Sequence, residues 1–279
     1  MQLINLHFRL NTGFLNSQLS GGNRMSKTTI AVFSIVAALG SSAFAQSDAV
    51  LAPQPSLPSP SVQLAFPSGA GAPSAVAPRS GTAFFGLTYA TPRGGVSGAG
   101  GDGDLVVGYS IGNPLENVSL TFGLAVTGLD PLGDAGSLSL SASRLVRVGS
   151  TSATFLGGTV SNLAAWGPNS DRSEQYTVYA SHLVGIDSGN VEIPLQFILG
   201  YGTDNTVQSN GTTDDGAFAG VGMGVAKNMS VSMSFTETQL NVGAALSIPN
   251  SSVSTSLSVL DVTDNTNRQQ VALAVSYRF

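Results

Sequence analysis

Beyond residue 82, large apolar residues and small or polar ones alternate almost one by one. The clearest run is Val118, Leu120, Phe122, Leu124 and Val126, interleaved with Ser119, Thr121, Gly123, Ala125 and Thr127. A second is Val191, Ile193, Leu195, Phe197, Leu199 and Tyr201. Shorter ones are Val231, Met233 and Phe235 between serines, and Leu240, Val242, Ala244, Leu246 and Ile248. A period of two places every large residue on one face of a strand, so the pattern predicts β-structure. Twelve runs emerge, at 82–90, 104–111, 117–127, 137–147, 151–162, 174–185, 191–202, 217–226, 229–236, 239–248, 252–261 and 268–279. Ten or fourteen strands also fit, because 151–162 and 252–261 alternate poorly.

The stretches between runs alternate as well. One set, 112–116, 148–150, 186–190, 227–228 and 249–251, is uniformly short. The other, 91–103, 128–136, 163–173, 203–216, 237–238 and 262–267, is longer in all but one case. Short turns at one end and longer loops at the other are what an up-and-down antiparallel barrel in a membrane requires. An open sheet in hydrocarbon would strand a row of unpaired backbone groups, so the sheet must close on itself. Composition agrees: only 10% of residues are charged, against about 25% in average soluble domains. No stretch after residue 45 approaches the ~20 apolar residues of a membrane helix.

The N-terminal part reads differently. Lys27 followed by a short apolar core and Ala43-Phe44-Ala45 has the form of a signal peptide cleaved after Ala45. Because Met25-Ser-Lys is itself an ordinary leader start, translation is expected to begin at Met25 within the leader region 1–45. Residues 46–80, with prolines at 53, 55, 58, 60, 67, 73 and 78, cannot join a ladder and are expected to form a disordered Pro/Ser/Ala-rich periplasmic tail. Residues 81–279 are then the barrel.

Chemistry-bearing motifs are few. Cysteine is absent, which excludes disulfides and zinc–thiolate sites. His182 is the only histidine after the leader, and its neighbour Ser181 must point to the opposite face of a strand. No cofactor motif is present, the Gly-rich run 94–101 is followed by no helix, and no enzyme activity is expected. Acidic residues gather in the second set of connections and the strand ends beside them: Asp102, Asp104, Asp130, Asp134, Asp171, Glu174, Asp204, Asp214, Asp215, Glu237, Asp261 and Asp264, opposed by Arg93, Arg172 and Arg268. Asp204, Asp214 and Asp215 are weak calcium candidates without EF-hand spacing. Arg144 and Arg147 are expected to snorkel to headgroups. Interface aromatics are expected at Tyr89, Tyr176, Tyr201, Phe218 and Phe235 near one rim, and at Phe84, Tyr109, Tyr277 and Phe279 near the other. The inward face is rich in Ser, Thr, Gly and Ala, with Tyr179, Glu192 and Gln196 as the bulky polar lumen candidates.

The last twelve residues end on alternating Val271, Leu273, Val275, Tyr277 and Phe279. With the leader, this closing strand resembles that of Gram-negative outer-membrane β-barrel proteins. The resemblance covers the leader and 82–279 and identifies no subfamily. It implies a closed antiparallel transmembrane β-barrel in the bacterial outer membrane, inserted by the barrel-assembly machinery, with those five residues as the assembly signal. The partners so implied are outer-membrane lipid and small solutes, without nucleic acid. The expected function is a porin-like passive channel for small hydrophilic solutes with weak cation preference. The alternative is a structural or surface-interaction barrel with an occluded lumen, closed by the tail or by loop 203–216 folding inward.

Overall fold

The computed structural model describes residues 62–63, 70–78, 80–92, 101–129, 132–189 and 191–279. The leader, its cleavage point, Met25 and, apart from Gly101, the run 94–101 lie outside them. In chain order the strands are β1 (Val62–Gln63), β2 (Ala83–Ala90), β3 (Asp102–Gly112), β4 (Ser119–Leu129), β5 (Leu132–Val148), β6 (Ser152–Trp166) and β7 (Gln175–Ser188). They continue with β8 (Val191–Val207), β9 (Thr213–Ala226), β10 (Met229–Thr236), β11 (Leu240–Ser247), β12 (Val253–Leu260) and β13 (Gln270–Arg278). Each of β2 to β13 pairs antiparallel with the next, and β13 pairs with β2 to close the ring. The fold is a closed twelve-stranded antiparallel β-barrel, with every run read from the alternation present as a strand.

Parity sets what faces where. Across β2 to β4, Leu87 pairs with Leu105 and Leu105 with Val126, while Tyr109 pairs with Phe122 and Phe122 with Leu140 of β5. These residues form rows on the outer face, where Phe122 is 48%, Leu199 65% and Val178 64% exposed. Their neighbours one position along point inward and are small: Ser137, Ser139, Ser141 and Ser143 on β5, Ser230, Ser232 and Ser234 on β10. The usual order is inverted, with the apolar side outside.

The wall is uneven. Strands β5 and β8 have 17 residues, while β10, β11 and β12 have 8 each. Two expected loops shorten accordingly. Strand β4 runs to Leu129 and β5 begins at Leu132, so most of 128–136 is strand, and β8 continues to Val207 across a register shift between Gly202 and Thr206. The shift occurs where Asp204 adopts φ 51°, the kind of irregularity by which a strand bends over a rim.

Three inward aromatics fill much of the interior, and each lies across from a glycine. Phe84 faces Gly108, Tyr179 faces Gly157 and Phe218 faces Gly200. In every pair a Cβ on the glycine would overlap the ring. A ring lying on a bare backbone restores the contact that a missing side chain would leave open. This corrects two expectations: Phe84 and Phe218 are buried inside, at 4% and 3% exposure, not at the rims. Their outward places are taken by Phe85 beside Phe84 and by Ala217 and Ala219 around Phe218. The strand Ala217-Phe-Ala-Gly-Val-Gly-Met-Gly-Val225 carries its bulk outward only from Val221 onward, which is why size alone misassigned its first aromatic.

The described part of 46–80 also departs from the expected disordered tail. Ala70, Ala72, Ala75 and Val76 are 5%, 1%, 0% and 4% exposed, because residues 70–78 run inside the barrel. Residues 70–78 stay out of the ladder, but Val62–Gln63 of the same stretch pair parallel with Val191–Glu192 of β8, which corrects the expectation that none of 46–80 joins a ladder. Small side chains let 70–78 pass along a glycine-lined wall. A Gly108→Ala substitution would press on the Phe84 ring, with about 1–3 kcal/mol of lost stability from overpacking. Urea unfolding in detergent micelles should show the midpoint falling, and falling less when Phe84→Leu is added.

Candidate functional site

The site is the barrel interior, and its main feature is the inner segment. Near the loop end, Ser234 Oγ donates to the carbonyl of Ala70, and Gly71 (φ 73°) turns the chain against Asn241. Ala72 packs over Gly220 of β9, whose inward face is otherwise Gly216, Phe218, Gly222 and Gly224. Farther down, Gln196 Nε2 donates to Ser74 Oγ, the Ala75 N–H donates to Ser181 Oγ at 2.8 Å, and Ser143 Oγ donates to the Ala75 carbonyl. The segment ends at the terminal rim, where the Gly81 N–H donates to the Ser110 carbonyl at 2.8 Å and β2 begins. It therefore crosses the lumen obliquely from β10 and β11 to β2. Three of its backbone groups, the Ala70 carbonyl and the Ala75 N–H and carbonyl, are met by wall hydroxyls.

A small apolar cluster locks the lower half. Ala75 and Val76 pack with Phe155, Tyr179, Leu183, Ile198 and Phe218, with Leu115 and Leu145 against the edge. On the other side a cavity of about 100 Å³ remains between the segment and the wall of β4 to β7. Ser119, Thr121, Ser139, Ser141 and Thr159 line it, with Phe84 and Tyr179. The Tyr179 hydroxyl meets Thr159 Oγ1 at 2.9 Å.

The loop end is partly roofed. The connection 208–212 reaches across so that Gly211 lies under the Arg268 guanidinium. Thr238 Oγ1 donates to the Val207 carbonyl at 2.8 Å. Asp261, fully buried, accepts from the N–H groups of Asn265 and Thr266 at 3.0 Å each and from the Thr266 hydroxyl. Its own N–H donates to Asn241 Oδ1 at 3.0 Å, and Asn241 Nδ2 donates to Ser234 Oγ at 3.3 Å. A continuous hydrogen-bond chain thus joins the mouth loop to the tip of the inner segment.

The mouth is acidic. Asp102, Asp134, Asp171, Glu174, Asp214, Asp215, Glu237 and Asp264 are exposed there, whereas Arg268 is buried and Arg172 half-buried. Burial lowers the pKa of Arg172, and the nearby charge of Asp204 raises it.

Tyr179, Glu192 and Gln196 all lie on the inward face; Tyr179 and Gln196 are buried and Glu192 sits at the terminal end against Gly185. Tyr89, Tyr109, Tyr176 and Tyr201 are outward and exposed, as are Val271, Leu273, Val275 and Phe279. Tyr277 stacks with Phe85 and Phe279, at 5.9 and 4.8 Å between ring centroids. The calcium candidates are not brought together. Asp204 accepts from Thr213, Asp215 from the Asp204 N–H and Asp214 from Gln208, and no group of three acidic or histidine ligands forms among the described residues. His182 points outward, its Nδ1 2.8 Å from Thr154 Oγ1 on β6, while Ser181 points inward. Sequence reasoning raised an inward tail only as the alternative to a periplasmic one, and it missed the roles of Ser143 and Ser181. The parity of Ser181 opposite His182 was a usable sign of the latter.

No family model matches the chain, and no curated protein matches it. Solved outer-membrane porins and channels resemble it. The KdgM porin in complex with disordered oligogalacturonate superposes with a TM-score of 0.47 at 9% identity, covering 71% of this chain and 99% of that one. The COG4313 outer membrane channel from Pseudomonas putida F1 gives 0.47 at 10% identity, covering 73% and 97%. The Acinetobacter baumannii outer membrane protein Omp33 gives 0.46 at 10%, covering 71% and 98%. These likenesses bear on neither solute nor partner.

A Ser181→Ala change would leave the buried Ala75 N–H without its acceptor, at about 1–3 kcal/mol. Hydrogen exchange at Ala75 should accelerate by roughly tenfold for each 1.4 kcal/mol lost, while the amides of β12 and β13 stay protected.

Proposed function

We propose that this protein is an outer-membrane β-barrel that acts as a narrow passive channel for small hydrophilic solutes, with its own residues 70–78 limiting the bore. The observation that carries the reading is the combination of an apolar exterior with a hydroxyl-lined cavity beside the inner segment. A barrel that is apolar outside needs hydrocarbon around it, and a polar interior needs water within it. Outward Tyr89, Tyr176 and Tyr201 near one end, and Tyr109 and Tyr277 near the other, suit the two interfaces. The acidic mouth raises the local concentration of cations and so favours them weakly over anions. Insertion by the barrel-assembly machinery, export through a cleaved leader and the absence of enzyme activity belong to the same reading.

The inner segment also favours a second reading, a structural or interaction barrel with its lumen closed. The two diverge in planar bilayers. A channel should give small, cation-favouring conductance steps that grow severalfold when residues 46–79 are deleted, since the ring of β2 to β13 closes without them. Silence from both forms would favour the closed scaffold. Membrane embedding has its own test. Leu199→Arg, on the outer face, should cost about 2–4 kcal/mol if it lies at mid-bilayer, read as a lower urea midpoint in lipid vesicles and a smaller effect in detergent.

A further inference from the structure

The cavity beside the inner segment has a chemistry that narrows the solute class. On one side its surface is hydroxyl: Thr121, Ser139, Ser141 and Thr159 on β4 to β6, with Ser74 of the segment opposite. These hydroxyls are paired across strands, Ser110 with Thr121 at 2.9 Å and Ser141 with Thr159 at 2.8 Å, and either partner can donate. A hydroxyl donates or accepts by rotation alone, so such a wall can serve solute OH groups in either sense. Val76, Phe84 and Val106 supply an apolar surface facing it, suited to C–H faces. Among the described residues lining it there is no carboxylate, ammonium or guanidinium. An ion passing this point sheds water and meets no counter-charge. The acidic groups sit above, at the mouth, where they concentrate cations without compensating them inside.

Size sets a second limit. At a share of about 30 Å³ per water, a cavity of about 100 Å³ has room for on the order of three waters, close to the bulk of a three- or four-carbon polyol.

We propose that this constriction selects uncharged three- and four-carbon polyols over ions of the same size, whichever their sign. The proposal rests on the channel reading above and names its solute. The test is tracer uptake at pH 7 into proteoliposomes holding the full chain, comparing glycerol and erythritol with glycerate and with 3-aminopropane-1,2-diol, a cation at that pH. Uptake of the polyols should exceed that of both ions by at least about fivefold. Ser139→Asp should reverse the order for the cation while lowering polyol uptake. Ser141→Ala, which removes one wall hydroxyl and keeps the β-carbon, should slow the polyols alone. Equal rates for neutral and charged solutes would overturn the selectivity and leave the channel standing. Unaltered rates in both variants would overturn its assignment to this cavity. No uptake of any solute would overturn the channel and the selectivity together.

Discussion

The backbone ladder between β13 and β2 is the interaction on which everything else depends. Residues Ala272 to Arg278 pair with Ala90 to Phe84, and this register converts a twelve-stranded ribbon into a ring. Once the ring is closed no edge remains, and every strand must present alternate residues to two different surroundings. The parity seen at Val271, Leu273 and Val275 is then imposed on each neighbour in turn. A slip by one residue at the seam would set the apolar face of one seam strand beside the small-residue face of the other.

Closure also explains why the interior is so spare. A ring of twelve strands encloses more volume than its inward side chains fill, since most are Ser, Gly, Thr or Ala. Two devices take up the space. Aromatic rings lie flat on facing glycines, and the inner segment lies against glycines of three strands, Ala70 at Gly243, Ala72 at Gly220 and Ala75 at Gly157. The second device meets part of a hydrogen-bonding need as well as filling volume. A proline-containing segment has backbone groups with no ladder to join, and the hydroxyls of Ser143, Ser181 and Ser234 take up those of Ala70 and Ala75. The serine-rich interior thus serves the segment on one side and the cavity on the other.

How much of this was legible beforehand follows from which forces act locally. Strand number, the outward aromatics Tyr89, Tyr109, Tyr176 and Tyr201, and the inward Tyr179, Glu192 and Gln196 were readable, because alternation is a property of adjacent residues. Phe84 and Phe218 were misplaced because rim aromatics were chosen by size and position without tracing parity through the weaker runs. The inner segment was read as a tail for a different reason. Composition says that Pro73 and Pro78 cannot enter a ladder, and it is silent on whether a distant wall offers acceptors and donors. Ala75 meets Ser181 across 106 positions, and no local pattern records such a contact. Loop ends were likewise misjudged at 128–136 and 203–216, where strands continue past the rim through residues that favour turns.

The pairing of rings with bare backbone has an implication for how such an interior changes over evolutionary time. In each couple, Phe84 with Gly108 or Phe218 with Gly200, the bulk belongs to the couple and not to either partner. A ring gained on one side must be matched by a loss on the other, so substitutions there should travel in twos. Lineages of this barrel would then differ in which strand holds the ring while keeping the enclosed space nearly constant.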